Sequence, residues 1–338
     1  MVYREESYLL ETLVATKLQL KQWDSSKKPV IVIAGPTAVG KTALSLQLAK
    51  EMGGEIISAD SIQVYKGLDI GSSKPSFEEM SNIPHHLINI CDLTDSYNVV
   101  HFYAEAKKAI REVQERGNVP IVVGGTGFYV NALLYGPPSG PPSSMQVRDQ
   151  LAMDLEKRGI EALYDRLKKI DPDYSKKITV NDKQKIIRGL EIIAITGKRV
   201  SDFKAPKDRR GMSEYNFRCF FLYTPRETLY PKIEVRCDEM LSQGLIEEVE
   251  QLLLQGLADN PSASASIGYR QCIDYLKSEK SVDDFEKFVE TFKTMTRRYA
   301  KRQFTWFRRE PLFRWLDIEV HGTESVRNLI MMDYESQI

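Results

Sequence analysis

Apolar residues divide the first part of the chain into short β-branched runs and longer segments with helical spacing. The runs Val30–Ala34, Glu55–Ala59, His86–Ile90 and Pro120–Val123 predict four strands. Between the third and fourth runs, apolar residues recur three or four positions apart over Val100–Arg116, which predicts a helix that ends at the next glycine. Strands that alternate with helices predict an α/β fold, with a parallel sheet flanked by helices.

This alternation stops at a stiff linker rich in proline and serine, Pro137–Ser144. Residues 145–200 then show helical spacing only, and Phe217–Tyr223 predicts a strand that returns to the sheet. The helical block is therefore predicted to be an insertion. We predict a lead segment with a short amphipathic helix over residues 1–28, an α/β core over 29–138 and 213–338, and an all-helical insertion over 139–212.

The rest of the chain is predicted to form helices over 226–255, 269–277 and 283–308 and a last strand over 313–318. Seven cations and no acidic residue lie between Thr291 and Arg309, although the formal net charge of the chain is zero. Aromatic residues are interleaved with these cations, which is typical of a surface that grips single-stranded nucleic acid. The alternative is a solvated helix face whose charge is balanced by acids elsewhere.

The most informative motif follows the first predicted strand. It matches G-x-x-x-x-G-K-[ST] and lies between a strand and a helix, as a phosphate-binding loop requires. Backbone N–H groups of such a loop surround phosphate oxygens, the lysine adds positive charge, and the last hydroxyl can bind Mg²⁺. The motif predicts a di- or triphosphate site formed by Gly35, Pro36, Thr37, Ala38, Val39, Gly40, Lys41 and Thr42, with Thr42 as the metal ligand.

Two other predicted strands end in residues that can act beside this phosphate loop. Asp60 follows the second strand and Thr126 follows the fourth, and the carboxyl ends of parallel strands meet at one edge of the sheet. Asp60 can serve as a general base or help to hold Mg²⁺ through water, although an aspartate there can also simply form a turn. The fourth strand ends in Gly124, not in the aspartate that an NTP hydrolase uses, so we expect chemistry other than hydrolysis of ATP.

The composition excludes several classes of protein. A hydrophobic content of 42% and a charged content of 28% are ordinary for a globular protein, and no apolar run is long enough to cross a membrane. The four cysteines are scattered, without metal-ligand spacing, which indicates a reducing cytoplasm and no structural zinc. His85 and His86 also lack metal partners in the sequence, so we predict a structural role for them.

Two segments outside the long helix are suited to RNA. Asn181–Arg188 opens a helix and offers Gln184, Lys185 and Arg188 on one side, although a solvated face explains them equally well. Ser266–Gln271 places a tyrosine ring beside a guanidinium and an amide, a set that suits an unpaired base.

Together these motifs resemble the tRNA dimethylallyltransferase family, also called tRNA isopentenyltransferase, in its bacterial form. The resemblance extends from about residue 30 to residue 318. The matching segments are Gly35–Thr42, Ile57–Gly71, Lys74-Pro75, Pro84–Leu87, Gly124–Tyr129, Asn181–Arg188, Gly268–Gln271, Ala300–Gln303 and Thr305-Trp306.

The resemblance implies a P-loop NTPase-like fold and transfer of a dimethylallyl group from dimethylallyl diphosphate to the exocyclic amine of adenosine-37 in tRNA, with Mg²⁺ as cofactor. It implies that the phosphate loop binds the diphosphate, that Asp60 takes the proton of the amine, and that Thr126 orients the base and Asp60. Arg148 occupies the place of a family arginine that reaches the diphosphate and tRNA. The residues implied to contact the anticodon stem-loop are Asp60, Ser61, Ile62, Gln63, Gln184, Lys185, Ile186, Ile187, Arg188, Ile267, Gly268, Tyr269, Arg270, Gln271, Arg297, Arg298, Lys301, Arg302 and Gln303.

The sequence departs from the family pattern in places. Lys185 replaces a usual arginine, the lead segment is longer than usual, and the zinc finger of many eukaryotic members is missing. We expect a cytoplasmic monomer.

Three other functions remain open. A P-loop kinase of a nucleoside or small metabolite, or a prenyltransferase acting on free adenine nucleotides, needs the same loop but not the basic aromatic helix. A non-catalytic RNA-binding protein does not need Asp60 beside an intact phosphate loop.

Overall fold

The computed structural model describes residues 27–203 and 214–336. Among these residues, 27–136 and 214–336 form one compact unit, and 137–203 form another. The helix predicted within the lead segment falls almost wholly on residues 1–26, outside the described part of the chain.

The first unit is built on a parallel sheet, as the alternation of strands and helices predicts. Its strands are β1 (Pro29–Ala34), β2 (Gly54–Ser58), β3 (His85–His86), β4 (Val119–Gly124), β5 (Asn216–Tyr223) and β6 (Arg314–Asp317), in the order β3-β2-β4-β1-β5-β6. β1 is paired on both sides, and its residues Val30–Ala34 are fully buried. The loop after β1 therefore starts at the centre of the carboxyl edge, where ligands of parallel sheets bind.

Helices account for most of the remaining described residues. Those of the first unit are α1 (Lys41–Met52), α2 (Phe77–Asn82), α3 (Val99–Glu115) and α4 (Gly127–Tyr135), and after the second unit α8 (Arg226–Ser242), α9 (Leu245–Leu254), α10 (Pro261–Ser264), α11 (Tyr269–Leu276), α12 (Val282–Phe307) and α13 (Ile318–Glu335). The second unit contains α5 (Met145–Ile170), α6 (Pro172–Ser175) and α7 (Lys183–Thr196). It has a separate apolar core formed by Leu151, Leu163, Leu167, Ile178, Ile186 and Leu190.

Several elements differ from the prediction, among them α2, α4 and α10, which were not predicted. β3 ends at His86 and does not reach Ile90, because Leu87 and Asn89 adopt left-handed conformations with φ of 62° and 56°. The single helix predicted over 226–255 is divided into α8 and α9 at Gly244, whose φ is 97°. The final helix α13 was not predicted.

The adjacent histidines have the structural role that was predicted for them. His86 Nε2 lies 2.6 Å from Glu55 Oε2, and Arg116 Nη2 donates to the same oxygen at 2.7 Å. The hydrogen bond from Arg116 is the main reason why the pKa of Glu55 is lowered to about 2. This buried carboxylate joins β2, β3 and the end of α3.

Candidate active site

The phosphate loop, residues Gly35–Thr42, has a backbone that only small residues can form. Ala38 and Gly40 are left-handed, with φ of 63° and 95°, and α1 begins at the next residue, Lys41. A Cβ on Gly35 would lie 2.6 Å from the Leu222 carbonyl oxygen of β5. The first glycine of the motif is thus needed for close packing against the sheet, and the second for the turn into the helix.

Lys41 reaches back over this loop. Its Nζ donates to the carbonyl oxygens of Gly35 and Pro36 at 3.0 and 2.7 Å. The pKa of Lys41 is lowered to about 7, mainly by burial and also by the charge of Arg236, while the charge of Asp60 opposes the change. A buried ammonium group that lacks a bound anion is poorly stabilised, so this lysine is ready to bind one.

Asp60 lies in the same cavity as Lys41. Its Oδ1 accepts hydrogen bonds from the backbone N–H groups of Ile62 and Gln63, at 2.8 and 3.4 Å. Within the described part of the chain Oδ2 has no hydrogen-bond partner. One oxygen therefore fixes the turn after β2, and the other is available to a ligand.

The cavity has a volume of about 1000 Å³, sufficient for a ligand larger than a single nucleotide base. Thr37–Thr42 line one part of it and Asp60–Gln63 another. Residues of α8 and α12 complete the lining, among them Arg236, Tyr299 and Arg302. All of these residues belong to the first unit, so one fold brings the phosphate loop and the carboxylate together.

Arg236 is a candidate functional residue that sequence analysis missed. Its Nε donates to Ser73 Oγ at 3.0 Å, its guanidinium lines the cavity, and burial lowers its pKa. Its charge acts on both Lys41 and Asp60. No motif surrounds it in the sequence, where it is an ordinary helical arginine.

Thr126 begins the turn into α4 after the glycine-rich end of β4. Its Oγ1 is buried and has no hydrogen-bond partner among residues 27–203 and 214–336. It lies close enough to Tyr299 to lower the pKa of that phenol, although the two hydroxyls do not have hydrogen-bond geometry. Burial, with a further contribution from the charge of Asp60, nevertheless raises the pKa of Tyr299 to about 12.

Gln303, predicted to contact RNA, is instead buried behind the phosphate loop. Its Oε1 accepts a hydrogen bond from the Thr37 N–H at 3.0 Å, and its Nε2 donates to the Gly125 carbonyl at 3.0 Å. A Cβ on Gly125 would lie 2.1 Å from that Nε2. With both ends of the amide occupied and 5% of its surface exposed, Gln303 holds the loop after β1 to the loop after β4.

Tyr269 and Gln271 also differ from their predicted role. The Tyr269 ring is fully buried and its hydroxyl donates to Glu248 Oε1 at 2.7 Å, while Gln271 Oε1 caps α11 by accepting from the Gly268 N–H. Glu248 in turn accepts from the N–H groups of residues 69–71 at 2.6–3.2 Å. These side chains hold the loop over 69–73 in place and cannot stack on a base without leaving the core.

Of the other residues predicted to contact RNA near the cavity, one supports a loop and the rest line the cavity or are exposed. Gln63 is held by Ser58 and by the carbonyls of Ser72 and Ser73, so its amide supports the same loop. Ser61, Ile62 and Ile267 line the cavity. Arg270 is exposed on α11.

The basic half of α12 contains both paired and exposed cations. Arg297 pairs with Glu234 and Lys293 with Asp238, both on α8. Arg298, Lys301 and Arg302 are exposed and form no ion pair with any described residue, and Arg302 lies 5.5 Å from the centre of the Tyr299 ring. The charges of Arg297 and Lys293 are therefore balanced by acids, whereas Arg298, Lys301 and Arg302 fit a surface that faces a polyanion.

In the second unit, two predicted contacts share one buried carboxylate. Arg148 Nε donates to Glu191 Oε1 at 3.1 Å, and Arg188 Nη1 donates to Oε2 at 2.6 Å. Burial alone would raise the pKa of Glu191, but hydrogen bonds from Ser143 and the two arginines lower it to about 2. The two arginines thus have a structural partner, and their roles toward ligands remain predictions.

The other candidates of this unit lie along α7. Ile186 is fully buried in its core and Ile187 packs, partly buried, against that core, so the Ile186 side chain has a structural role and RNA contact by these two residues remains a prediction. Gln184 and Lys185 are exposed, and Lys185 Nζ bonds to Asp182 at 2.8 Å. Within this segment the polar side chains of Gln184 and Lys185 are the ones exposed to a partner.

The pKa of Lys41 leads to a prediction about anion binding. A bound diphosphate would raise this pKa, so above pH 7 binding requires uptake of a proton, and affinity should fall by up to about tenfold per pH unit. Below pH 7 the lysine is already charged and this contribution is constant. Calorimetry with inorganic diphosphate, in buffers of different ionisation enthalpy between pH 6 and 9, measures the uptake. Lys41→Arg is the control, and the same uptake in that variant would contradict the assignment to Lys41.

Two general features of the described residues limit the chemistry. No helix among them is both long and apolar enough to span a membrane. No group of three or more histidine, cysteine or acidic side chains is arranged to hold a metal ion in residues 27–203 and 214–336.

Comparisons with known proteins show the family of the chain. The sequence model of the IPP transferase family matches residues 63–310. A tRNA dimethylallyltransferase of Protochlamydia amoebophila is 54% identical over 313 residues, which cover 93% of this chain and 91% of the relative. The enzyme of the same name from Chlamydia abortus is 46% identical over 308 residues, with coverage of 91% and 90%.

Solved structures agree as well. The chain is similar to the full-length tRNA isopentenylpyrophosphate transferase of Bacillus halodurans, with 39% identity, a TM-score of 0.65 and coverage of 92% of this chain and 98% of that one. It is also similar to a eukaryotic dimethylallyltransferase acting on tRNA, with 32% identity, a TM-score of 0.71 and coverage of 89% and 78%. A central phosphate loop faces a strand-end carboxylate in a fold shared with these transferases, and the chain belongs to the IPP transferase family, among the tRNA dimethylallyltransferases.

Proposed function

We propose that the protein transfers a dimethylallyl group from dimethylallyl diphosphate to N6 of adenosine-37 in tRNA and releases diphosphate. The single observation that supports this best is the cavity in which Lys41 and the phosphate loop face the free oxygen of Asp60. The loop suits a diphosphate, and the carboxylate suits an amine that must lose a proton. The names of the relatives support tRNA as the acceptor. We propose that the protein acts as a monomer.

In the proposed reaction the diphosphate leaves with the electron pair of the allylic C–O bond. Negative charge then grows on the leaving group, where Lys41, the N–H groups of the phosphate loop and Arg236 can stabilise it. Groups that already point at a developing charge are effective because they need no reorganisation during the reaction. The cavity lining has four cations (Lys41, Lys232, Arg236 and Arg302) and three carboxylates (Asp60, Glu79 and Glu239), an excess of positive charge that suits this anion.

The lone pair of N6 forms the new C–N bond, and Asp60 Oδ2 takes the proton that N6 loses. The hydrogen bonds that Ile62 and Gln63 donate to Oδ1 hold the carboxylate in position. Thr126 has a buried, unpartnered hydroxyl nearby, so we propose that it binds the incoming base.

We propose Mg²⁺ as the metal. Thr42 lines the cavity, and its hydroxyl is a hard donor that Mg²⁺ accepts when substrate phosphates supply further ligands. When bound, Mg²⁺ neutralises charge on the diphosphate.

The adenine has to leave its stack to reach this cavity, as in other enzymes that modify bases. We propose that the anticodon stem-loop binds to the exposed cations of α12, namely Arg298, Lys301 and Arg302, and to Ser61, Arg270 and Ile267 around the cavity. Gln184, Lys185, Arg188 and Arg148 remain proposed contacts of the second unit.

The proposal is tested by incubating the protein with dimethylallyl diphosphate and either tRNA or AMP, and by analysing the nucleosides. We expect prenylated adenosine from tRNA and none from AMP. Transfer to AMP alone would identify a prenyltransferase of free nucleotides. Turnover of ATP without prenyl transfer would identify the kinase, which would not need the basic aromatic helix α12.

Removal of a cation from the exposed face of α12 should weaken binding of tRNA. Arg298→Ala and Arg302→Ala should each reduce the slope of log affinity against log salt by about one, because each removes about one phosphate contact. Filter binding at several salt concentrations measures this slope. Lys287→Ala, on the same helix near its acidic start, is the matched control and should change little. Equal slopes in all three variants would exclude this face.

A further inference from the structure

A second, smaller pocket lies at the carboxyl end of β5, and its role is not explained by the reaction. We call it the β5 pocket. Its volume is about 380 Å³, within the range of small-molecule sites. It is lined by Tyr223, Thr224, Pro225, Arg226, Phe304, Arg308 and Trp315, all of the first unit and none shared with the lining of the large cavity.

Aromatic rings form one wall of the β5 pocket. The rings of Tyr223 and Trp315 are 5.6 Å apart, and those of Phe304 and Trp315 are 6.1 Å apart. Phe304 is buried, whereas Tyr223 and Trp315 are half-buried and can present ring surface to a ligand. Half-buried aromatic rings in a pocket are suited to stacking against a planar, aromatic group.

Two arginines form the other wall. Neither Arg226 nor Arg308 has an ion pair or side-chain hydrogen bond within residues 27–203 and 214–336. The carboxylate of Glu319 beside Thr224 accepts hydrogen bonds from Thr224 Oγ1 at 2.6 Å and Thr228 Oγ1 at 3.1 Å, and from neither arginine. The two guanidinium groups are therefore available to an anion.

We propose that the β5 pocket binds one unpaired nucleotide of the bound RNA. The base stacks on Trp315, with the Tyr223 ring against its edge because the two rings are tilted by 57°, and Arg226 and Arg308 contact its phosphate. Stacking on aromatic rings combined with contacts from arginine is how proteins hold unpaired RNA bases. This inference rests on the proposed function, since it takes the RNA to be the tRNA substrate.

The position of the pocket favours RNA over other anions. Arg308 follows the last residue of α12, the helix with the exposed cations Arg298, Lys301 and Arg302. Six residues of helix separate Arg302 from Arg308, a rise of about 9 Å, which one or two nucleotides can span. Tyr223 also follows Leu222, whose carbonyl packs on Gly35 of the phosphate loop. A strand that delivers a base to the large cavity therefore passes close to the β5 pocket.

Photocrosslinking tests the inference directly. A tRNA substrate transcribed with 5-iodouridine is bound to the full-length protein and irradiated, and tryptic peptides are analysed by mass spectrometry. We expect crosslinks in the peptides 219–226 and 315–327, which contain Tyr223 and Trp315. Crosslinks only elsewhere, for example at Trp306, would overturn the inference. Crosslinking of free 5-iodo-UMP to these peptides, when the tRNA gives none, would assign the pocket to a mononucleotide and also overturn it.

Variants separate this site from general attraction of RNA. Arg226→Ala and Arg308→Ala should each lower the crosslink yield at Tyr223 and Trp315 about threefold or more, the first peptide being 219–232 in Arg226→Ala, which lacks the trypsin site at 226. Arg309→Ala removes the same charge one residue away, outside the pocket lining, and should preserve the yield. Equal losses in all three variants would leave only unspecific electrostatics and reject the pocket. Prenyl transfer by the wild type is measured in parallel: if it occurs without these crosslinks, only the present inference fails, and if it is absent, the proposed function fails.

Discussion

Replacement of Asp60 by alanine is expected to lower the rate of prenyl transfer by ~10²–10⁴ and to leave tRNA affinity nearly unchanged. The physical reason is that the exocyclic amine of adenine is a weak nucleophile that must lose a proton as its new bond forms. Asp60 lines the cavity, and its Oδ2, which accepts no hydrogen bond from the described residues, can take this proton. Single-turnover rates with saturating tRNA, together with filter binding, separate the chemical step from binding.

The control for this experiment is Asp60→Asn. The amide oxygen can still accept the hydrogen bond from the Ile62 N–H, so the turn after β2 is preserved while the base is lost. We expect both variants to be impaired similarly. A slow Asp60→Ala beside an active Asp60→Asn would mean that Asp60 matters only for the turn, and a wild-type rate in both would remove the base assignment.

Replacement of Lys41 by methionine is expected to lower kcat/KM for the prenyl donor by ~10²–10³. The ammonium group of Lys41 lies against the backbone of the phosphate loop. The diphosphate that leaves from this loop gains negative charge as the C–O bond breaks. Methionine retains most of the side-chain volume, so the loop loses charge more than packing. Steady-state kinetics with varied dimethylallyl diphosphate measures the loss.

Lys50→Met is the matched control for Lys41→Met, because Lys50 is an exposed lysine on the same helix, α1. It should be as active as the wild type. Lys41→Arg should recover only part of the activity, since its planar head does not replace a compact ammonium group in a narrow loop. An active Lys41→Met would show that Arg236 or the loop amides suffice for the leaving group.

The fold was largely predictable because buried strands and amphipathic helices have strong local patterns. Five of the six strands were predicted within about two residues, and β3 was not, because the left-handed residues Leu87 and Asn89 end it early. Gly244 divides a helix that looks continuous in its apolar spacing. In both cases a single backbone conformation overrides the hydrophobic pattern.

The candidate site was predictable only in part. The phosphate loop is contiguous in sequence, so its eight residues carry their own signature, and Asp60 follows from the rule that strand ends meet. For Tyr269, Gln271 and Gln303 the sequence did not show that the side chains are buried, because the residue type is the same for an exposed and a buried ring or amide. The structure assigns them to hydrogen bonds with Glu248, Gly268 and the loop after β1.

By itself, then, the sequence determined the phosphate loop, the parallel sheet that presents it, and the carboxylate at the neighbouring strand end, since each depends on residues close together in the chain. Tertiary structure decided which side chains face the cavity. The contact between Thr37 and Gln303 joins residues 266 positions apart, and Arg236 reaches Ser73 across 163. Such contacts form only when the whole chain has packed, because burial and distance between remote residues are properties of the fold and not of any local pattern.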